Sequence, residues 1–116
     1  MGETIFSKII RKEIPAKIVY ENEDVLAFRD INPQAPVHIL VIPKKLEIEN
    51  TTQIKGSEHA ELLGKLFDAV NEIARAEGIS EKGFRVVINS GPESGQDVLH
   101  LHLHILGGRK MHWPPG

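Results

Sequence analysis

The chain of 116 residues has no cysteine, no apolar run longer than the four residues Ile39-Leu40-Val41-Ile42, and no surplus of positive charge. Without cysteine there is no disulfide framework, no thiolate zinc site, no iron–sulfur cluster and no thiol nucleophile. A secreted module held by cross-links is excluded. A bilayer span needs about 20 apolar residues and a signal h-region at least ~7, so neither a membrane span nor an export signal is expected. Fourteen Lys plus Arg against 16 Asp plus Glu leave a formal charge of −2. The basic footprint of a protein that grips phosphate backbones is missing, so no nucleic-acid partner is expected.

What is present is an ordinary soluble balance, 41% hydrophobic and 26% charged. The length predicts one domain, residues 1–116, burying roughly 60–70% of its unfolded surface. Thr4 predicts the N-cap of a short helix carrying Ile5, Phe6, Ile9 and Ile10 and closed by Pro15. Ala16–Tyr20 and Val25–Arg29 predict a hairpin, and the proline-containing stretch Asp30–Pro36 a loop. Val37–Ile42 predicts a buried strand, followed by an irregular polar run to Gly56. Ser57 is the expected start of a long helix with an apolar stripe at Leu62, Leu63, Leu66, Phe67, Val70, Ile73 and Ala74, and Gly78 its C′ residue. Phe84–Asn89 and Val98–Leu106 predict two further strands around a glycine-containing loop. The expected fold class is therefore α+β: about five mostly antiparallel strands with one long and one short helix.

Three of the six histidines stand in His100-Leu101-His102-Leu103-His104. On a strand the histidines project from one face, and Leu99, Leu101, Leu103 and Ile105 from the other. Successive histidine Cα atoms are then ~6.6 Å apart, close enough to share one small ligand. Three chemistries suit such a row. It can be a solvated polar face, although Ser, Thr, Lys or Glu serve that purpose equally well. It can supply zinc ligands, with His38 or His112 as partner, but that spacing and the lack of an alternating acidic residue argue against it. It can act on phosphorus, one neutral imidazole as nucleophile and another protonated to meet phosphate oxygens, because closely spaced imidazoles resist joint protonation. The loop Gly91–Asp97 directly upstream favours the third, since Gly95 places backbone N–H groups at the mouth of the row and Gln96 or Asn89 adds neutral donors.

The sequence His100-Leu101-His102-Leu103-His104-Ile105-Leu106 resembles the H-φ-H-φ-H-φ-φ signature of the histidine-triad (HIT) family. Further segments resemble its Hint branch: Ile9–Ala16, Asn32–His38, Val41–Lys44, Gly95-Gln96, Leu106–Arg109 and Met111–Gly116. The resemblance implies a HIT-like fold and a homodimer that binds a purine nucleoside monophosphate such as AMP or GMP. It implies hydrolysis of the P–N bond of adenosine 5′-phosphoramidates through a nucleotidyl-histidine, with no metal or other cofactor. By position it makes His102 the nucleophile, His104 a phosphate contact, and His100 with His38 a relay that orients His102. Asn89, Gly95 and Gln96 would line the phosphate pocket, and Asp30 would hold the ribose hydroxyls. Ile5, Phe6, Ile14, Phe28 and Ile31 would enclose the base, and Trp113 in the tail 107–116 would reach the partner subunit's site. A cytosolic protein that can also be nuclear is implied.

Those residues also have ordinary readings. Phe6, Phe28 and Ile31 fit apolar core patterns, Asp30 can cap a turn, His38 can be a hydrogen-bonded core histidine, and His59 reads as a surface residue. Two positions depart from the branch: Asp97 stands where many of its members have Ser, and Leu99 where they have Tyr. A carboxylate at 97 can repel phosphate or raise a neighbouring imidazole's pKa. Other branches of the family imply dinucleoside polyphosphate cleavage or nucleotidyl transfer instead. A non-enzymatic protein that binds zinc or nucleotide is the alternative of a different class.

Overall fold

The computed structural model describes residues 3–116. Its elements are, in chain order, α1 (Ile5–Ile10), β1 (Ile18–Glu21), β2 (Val25–Arg29), β3 (Val37–Pro43), α2 (Gly56–Ala76), β4 (Phe84–Val87) and β5 (Leu103–Gly107), with single 3-10 turns at Thr51–Gln53 and Pro92–Ser94. The five strands form one sheet in the order β1-β2-β3-β5-β4, antiparallel at every pairing. The expected architecture is present.

Thr4 caps α1 as expected. Its hydroxyl accepts the Ser7 N–H at 3.3 Å and the Ser7 hydroxyl accepts the Thr4 N–H at 3.2 Å, a reciprocal capping box. The helix ends at Ile10, earlier than Pro15, because Lys12 takes a left-handed φ of 63° and turns the chain. Ser57 is not the cap of α2. The helix starts one residue earlier, with Lys55 as N-cap, and it is the His59 ring that accepts the Lys55 N–H, at 2.9 Å. At its far end Gly78 has the φ of +73° expected of a C′ residue.

Each sheet face carries its own apolar layer. On one, Val25, Ala27, Ile39, Val41, Leu103 and Ile105 pack against Leu66, Ala69, Val70, Ile73 and Ala74 of α2. Phe67 departs from the expected stripe and is exposed. On the other face, Leu26, Phe28, Leu40 and Ile42 pack under Phe6 and Ile9 of the much shorter α1. One turn and a half of helix cannot cover a five-stranded face, so part of it stays open. The register pairs Leu40 with His104 and His38 with Leu106 on that open side.

The last strand differs most from expectation. It begins at Leu103, not Val98, and Leu99, at 51% exposure, is not part of the buried leucine row. Leu103 pairs with Val41, and the next position of β3 able to continue the ladder is Pro43, which has no N–H. The Leu101 N–H turns instead to the Ile48 carbonyl at 2.8 Å, and the Pro43 carbonyl receives the His100 imidazole at 3.2 Å. Leu101, Leu103 and Ile105 are buried as expected, but only His104 of the three histidines lies on a strand.

Candidate active site

A pocket of about 390 Å³ opens on the α1 side of the sheet, a size that suits a small organic ligand. Ile5, Phe6 and Ile9 of α1, Ile14, Phe28 and Ile31 make its apolar wall, while Asp30, Asp97, His102 and His104 supply the polar groups. Ile31, which composition alone would place in a core, is 98% exposed at the rim. Leu40, Val98, Pro15, Ala16 and Arg29 also line the pocket and were not anticipated as site residues. Leu40 reads only as a core strand residue. Its inclusion follows from register, which pairs it with His104.

Hydrogen bonds settle where the imidazole protons sit. The Gln34 N–H donates to His38 Nδ1 at 3.0 Å, so a neutral His38 carries its hydrogen on Nε2. That Nε2–H donates to His104 Nδ1 at 2.9 Å. His104 therefore carries its own hydrogen on Nε2, which is buried and has no partner. His102 is held differently, with Nδ1–H donating to the His100 carbonyl at 2.7 Å. This leaves His102 Nε2 with a free lone pair. The Phe6 ring stands edge-on to it, centroids 5.0 Å apart.

The expected relay of His38 and His100 onto His102 is not what the fold builds. His38 serves His104, the His100 ring is outside the pocket on Pro43, and His102 is oriented by the backbone of His100 rather than its side chain. The His102 and His104 rings are also neighbours, with centroids 5.0 Å apart, but it is His38 that makes the ring-to-ring hydrogen bond to His104.

A protonated phosphate-binding imidazole is not supported either. Burial, then the neighbouring His102 and His38, pushes His104 down to about 4, with Asp30 and Asp97 pulling the other way. Burial likewise lowers His38 and His100. Near pH 7 His104 contributes an N–H dipole and not a charge.

The upstream loop also departs from expectation. The Gly95 N–H is bonded to the Pro92 carbonyl at 3.1 Å and that of Gln96 to the Gly91 carbonyl at 3.4 Å. The Gln96 side chain is saturated: Nε2 donates to the carbonyls of Glu49 and Val98, and Oε1 accepts from Gly91 N–H and the Asn50 amide. Neither residue lines the pocket, nor does Asn89. Gln96 fastens the loop to residues 49–50 rather than holding a ligand. Trp113 is 82% exposed and outside the pocket of its own chain.

Among the described residues, His38, His104 and Asp30 also form a group of ligand-type side chains that approach one another within 4.8 Å. They do not fit zinc as arranged. His38 Nε2 bears a hydrogen and no lone pair, and the two nitrogens stand at hydrogen-bond separation, whereas zinc at about 2.0–2.1 Å from each would require that proton to leave.

An apolar slot lined by His102 and His104 at the end of an antiparallel sheet, the first held by a backbone carbonyl and the second by His38, is the arrangement of a histidine-triad protein. The HIT domain model matches residues 11–111, and the chain belongs to the HIT family, in its Hint branch. It is 56% identical over 113 residues to a 14 kDa zinc-binding protein of Zea mays, covering 97% of this chain and 88% of the relative. It is 51% identical over 113 residues to a protein of Arabidopsis thaliana named adenylylsulfatase HINT1, covering 97% and 76%. Among solved structures, a HIT family hydrolase from Legionella pneumophila superposes with a TM-score of 0.94 at 48% identity, covering 98% of this chain and all of that one.

Proposed function

We propose that the protein is a nucleotide hydrolase that cleaves the P–N bond of purine nucleoside 5′-phosphoramidates, using His102 as a covalent nucleophile. The observation that carries this reading is the His102 Nδ1–H bond to the His100 carbonyl at 2.7 Å, which fixes the tautomer with the lone pair on Nε2. Family membership and the name of the Legionella relative support hydrolysis, and the name of the Arabidopsis relative supports an adenylyl substrate.

In the proposed sequence the base enters the slot of Ile5, Phe6, Ile14, Phe28 and Ile31, and Asp30 accepts the ribose hydroxyls. His102 Nε2 forms a bond to phosphorus as the P–N bond breaks. The departing electron pair stays on the amine nitrogen, which takes a proton from water at the pocket mouth. The phosphorylated ring gains positive charge, which the His100 carbonyl at Nδ1–H stabilises. His104 Nε2–H, aimed by His38, donates to a phosphoryl oxygen. Water then attacks phosphorus, the P–Nε2 bond returns its pair to His102, and the water's spare proton goes to solvent.

A homodimer accompanies this proposal. Phe67, Leu99 and Trp113 are exposed apolar side chains, and β4 is an unpaired sheet edge; a second copy would cover these groups and bring the tail to the site. The test is turnover of adenosine 5′-phosphoramidate, adenylyl sulfate and a diadenosine polyphosphate, with chelator present, by the protein and by His102→Ala. The expected result is preference for the P–N substrate, undiminished by chelation, and a loss on the order of 10³-fold or more in the variant with AMP affinity retained. Substantial residual turnover by His102→Ala would rule out the nucleophile.

A further inference from the structure

Two carboxylates line the pocket, and only one is engaged. Asp30 accepts the Asn32 N–H at 2.8 Å and stands 3.5 Å from His38 Nε2. Asp97 has no ion-pair partner among the described residues, although it shares the pocket wall with His102 and His104. The one cation lining the same pocket, Arg29, is tied to Glu77 at 2.9 and 3.0 Å and does not offset it. A site that must accept an anionic phosphoryl group thus presents an unpaired negative charge beside its two reacting imidazoles.

That charge works against any substrate whose other end is also anionic. It works for one whose other end is cationic. The position of Asp97 favours the departing group over the nucleoside as its target. The nucleoside end is assigned to the apolar wall of α1 and β2 and to Asp30, whereas Asp97 is carried by the loop that leads into His102. Its anchor is firm, because Gln96 ties the adjacent backbone to Glu49, Asn50, Gly91 and Val98. The carboxylate is exposed and can meet a ligand without unfolding anything.

We infer that Asp97 selects the leaving group, favouring nucleoside phosphoramidates whose amine carries a second, positively charged nitrogen and disfavouring sulfate, phosphate or nucleotide leaving groups. The inference rests on the P–N hydrolysis proposed above and names the substrate class within it. The covalent steps are unchanged: the P–N bond breaks as before, and the ammonium group takes no part except as counter-ion to Asp97. Two opposite charges a few ångströms apart at a partly solvated surface are worth about 1.4 kcal/mol, or about tenfold in kcat/KM.

The test compares two adenosine 5′-phosphoramidates of matched size, one with an aminoethyl group on nitrogen and one with a propyl group, together with adenylyl sulfate. The protein and its Asp97→Asn and Asp97→Glu variants are each assayed at low and at high salt. The expected result is a cationic-to-neutral preference that falls about tenfold in Asp97→Asn, persists in Asp97→Glu, and shrinks for the wild-type protein at high salt. Adenylyl sulfate should gain in Asp97→Asn relative to the propyl substrate. Equal ratios in the wild-type protein and Asp97→Asn, with the propyl substrate still turned over, would overturn the leaving-group role while sparing P–N hydrolysis. Failure of the wild-type protein to turn over the propyl substrate would overturn the reaction proposed above instead.

Discussion

His104 acts as a donor because His38 does, and His38 does because the Gln34 N–H occupies its Nδ1. One backbone amide thereby sets the tautomers of two side chains. Removing the middle link separates their roles. In His38→Ala the buried His104 Nδ1 loses its donor, and the hydrogen of His104 is no longer held on Nε2. We expect stability to fall by about 1–3 kcal/mol in denaturant titration and kcat to fall more than KM rises, since in the proposed function the apolar wall supplies most of the affinity for the nucleoside. Unchanged kcat would show that His38 is structural only. The sequence placed His38, His102 and His104 in one site but not in their working pairs. Pairing depends on the register of β3 with β5, and Gln34 precedes His38 by four residues through a loop whose path no periodicity reveals. Gln96 was misplaced for a related reason, as its partner Asn50 is 46 residues away.

At the scale of elements, the six-residue α1 is the least supported wall of the pocket, yet it contributes Ile5, Phe6 and Ile9. A helix this short is not stable by itself and leans on its cap and on packing. Thr4→Ala breaks the capping box, at a cost of about 0.5–2 kcal/mol. We expect a lower melting temperature and a several-fold weaker AMP affinity, measured by calorimetry, with kcat for the P–N substrate little changed. Weakened kcat at normal affinity would contradict this assignment of α1. The cap at Thr4 was legible, though not its reciprocal partner Ser7, as were the hairpin, β3 and the long helix with its Gly78 end, because local chemistry decides them. The start of β5 was not. Alternating His and Leu is a good strand pattern, and it was overridden by the missing N–H of Pro43 on the neighbouring strand.

For the molecule as a whole, the neutral histidines couple folding to acid. His38, His100 and His104 have folded pKa values below the unfolded value of about 6.5. The unfolded chain therefore binds protons first as pH falls. Stability owed to these groups is intact above about pH 6.5 and is lost progressively below it, for His104 down to about pH 4, at no more than about 1.4 kcal/mol per pH unit per group. Melting temperatures measured from pH 7.5 to 4.5 should decline, and His104→Asn should flatten the decline. A profile that does not change with this substitution would mean that another group governs acid lability. The pattern of apolar residues foretold one long and one short helix with a mostly antiparallel sheet, whereas the exposure of Phe67 and Ile31 could not be read from patterns that count apolar residues without knowing what covers them.

The saturated amide of Gln96 has a consequence for how such a protein can diverge. One of its four bonds reaches the Asn50 side chain and the other three reach the backbone of Glu49, Gly91 and Val98, so a change at Gln96 strands three backbone groups that lie on two separate segments and is resisted accordingly. Asp97, the next residue, makes no side-chain hydrogen bond or ion pair among the described residues and can vary singly. If Asp97 selects the leaving group as inferred, descendants of this chain can exchange one class of leaving group for another at a single codon, while the frame around it stays fixed.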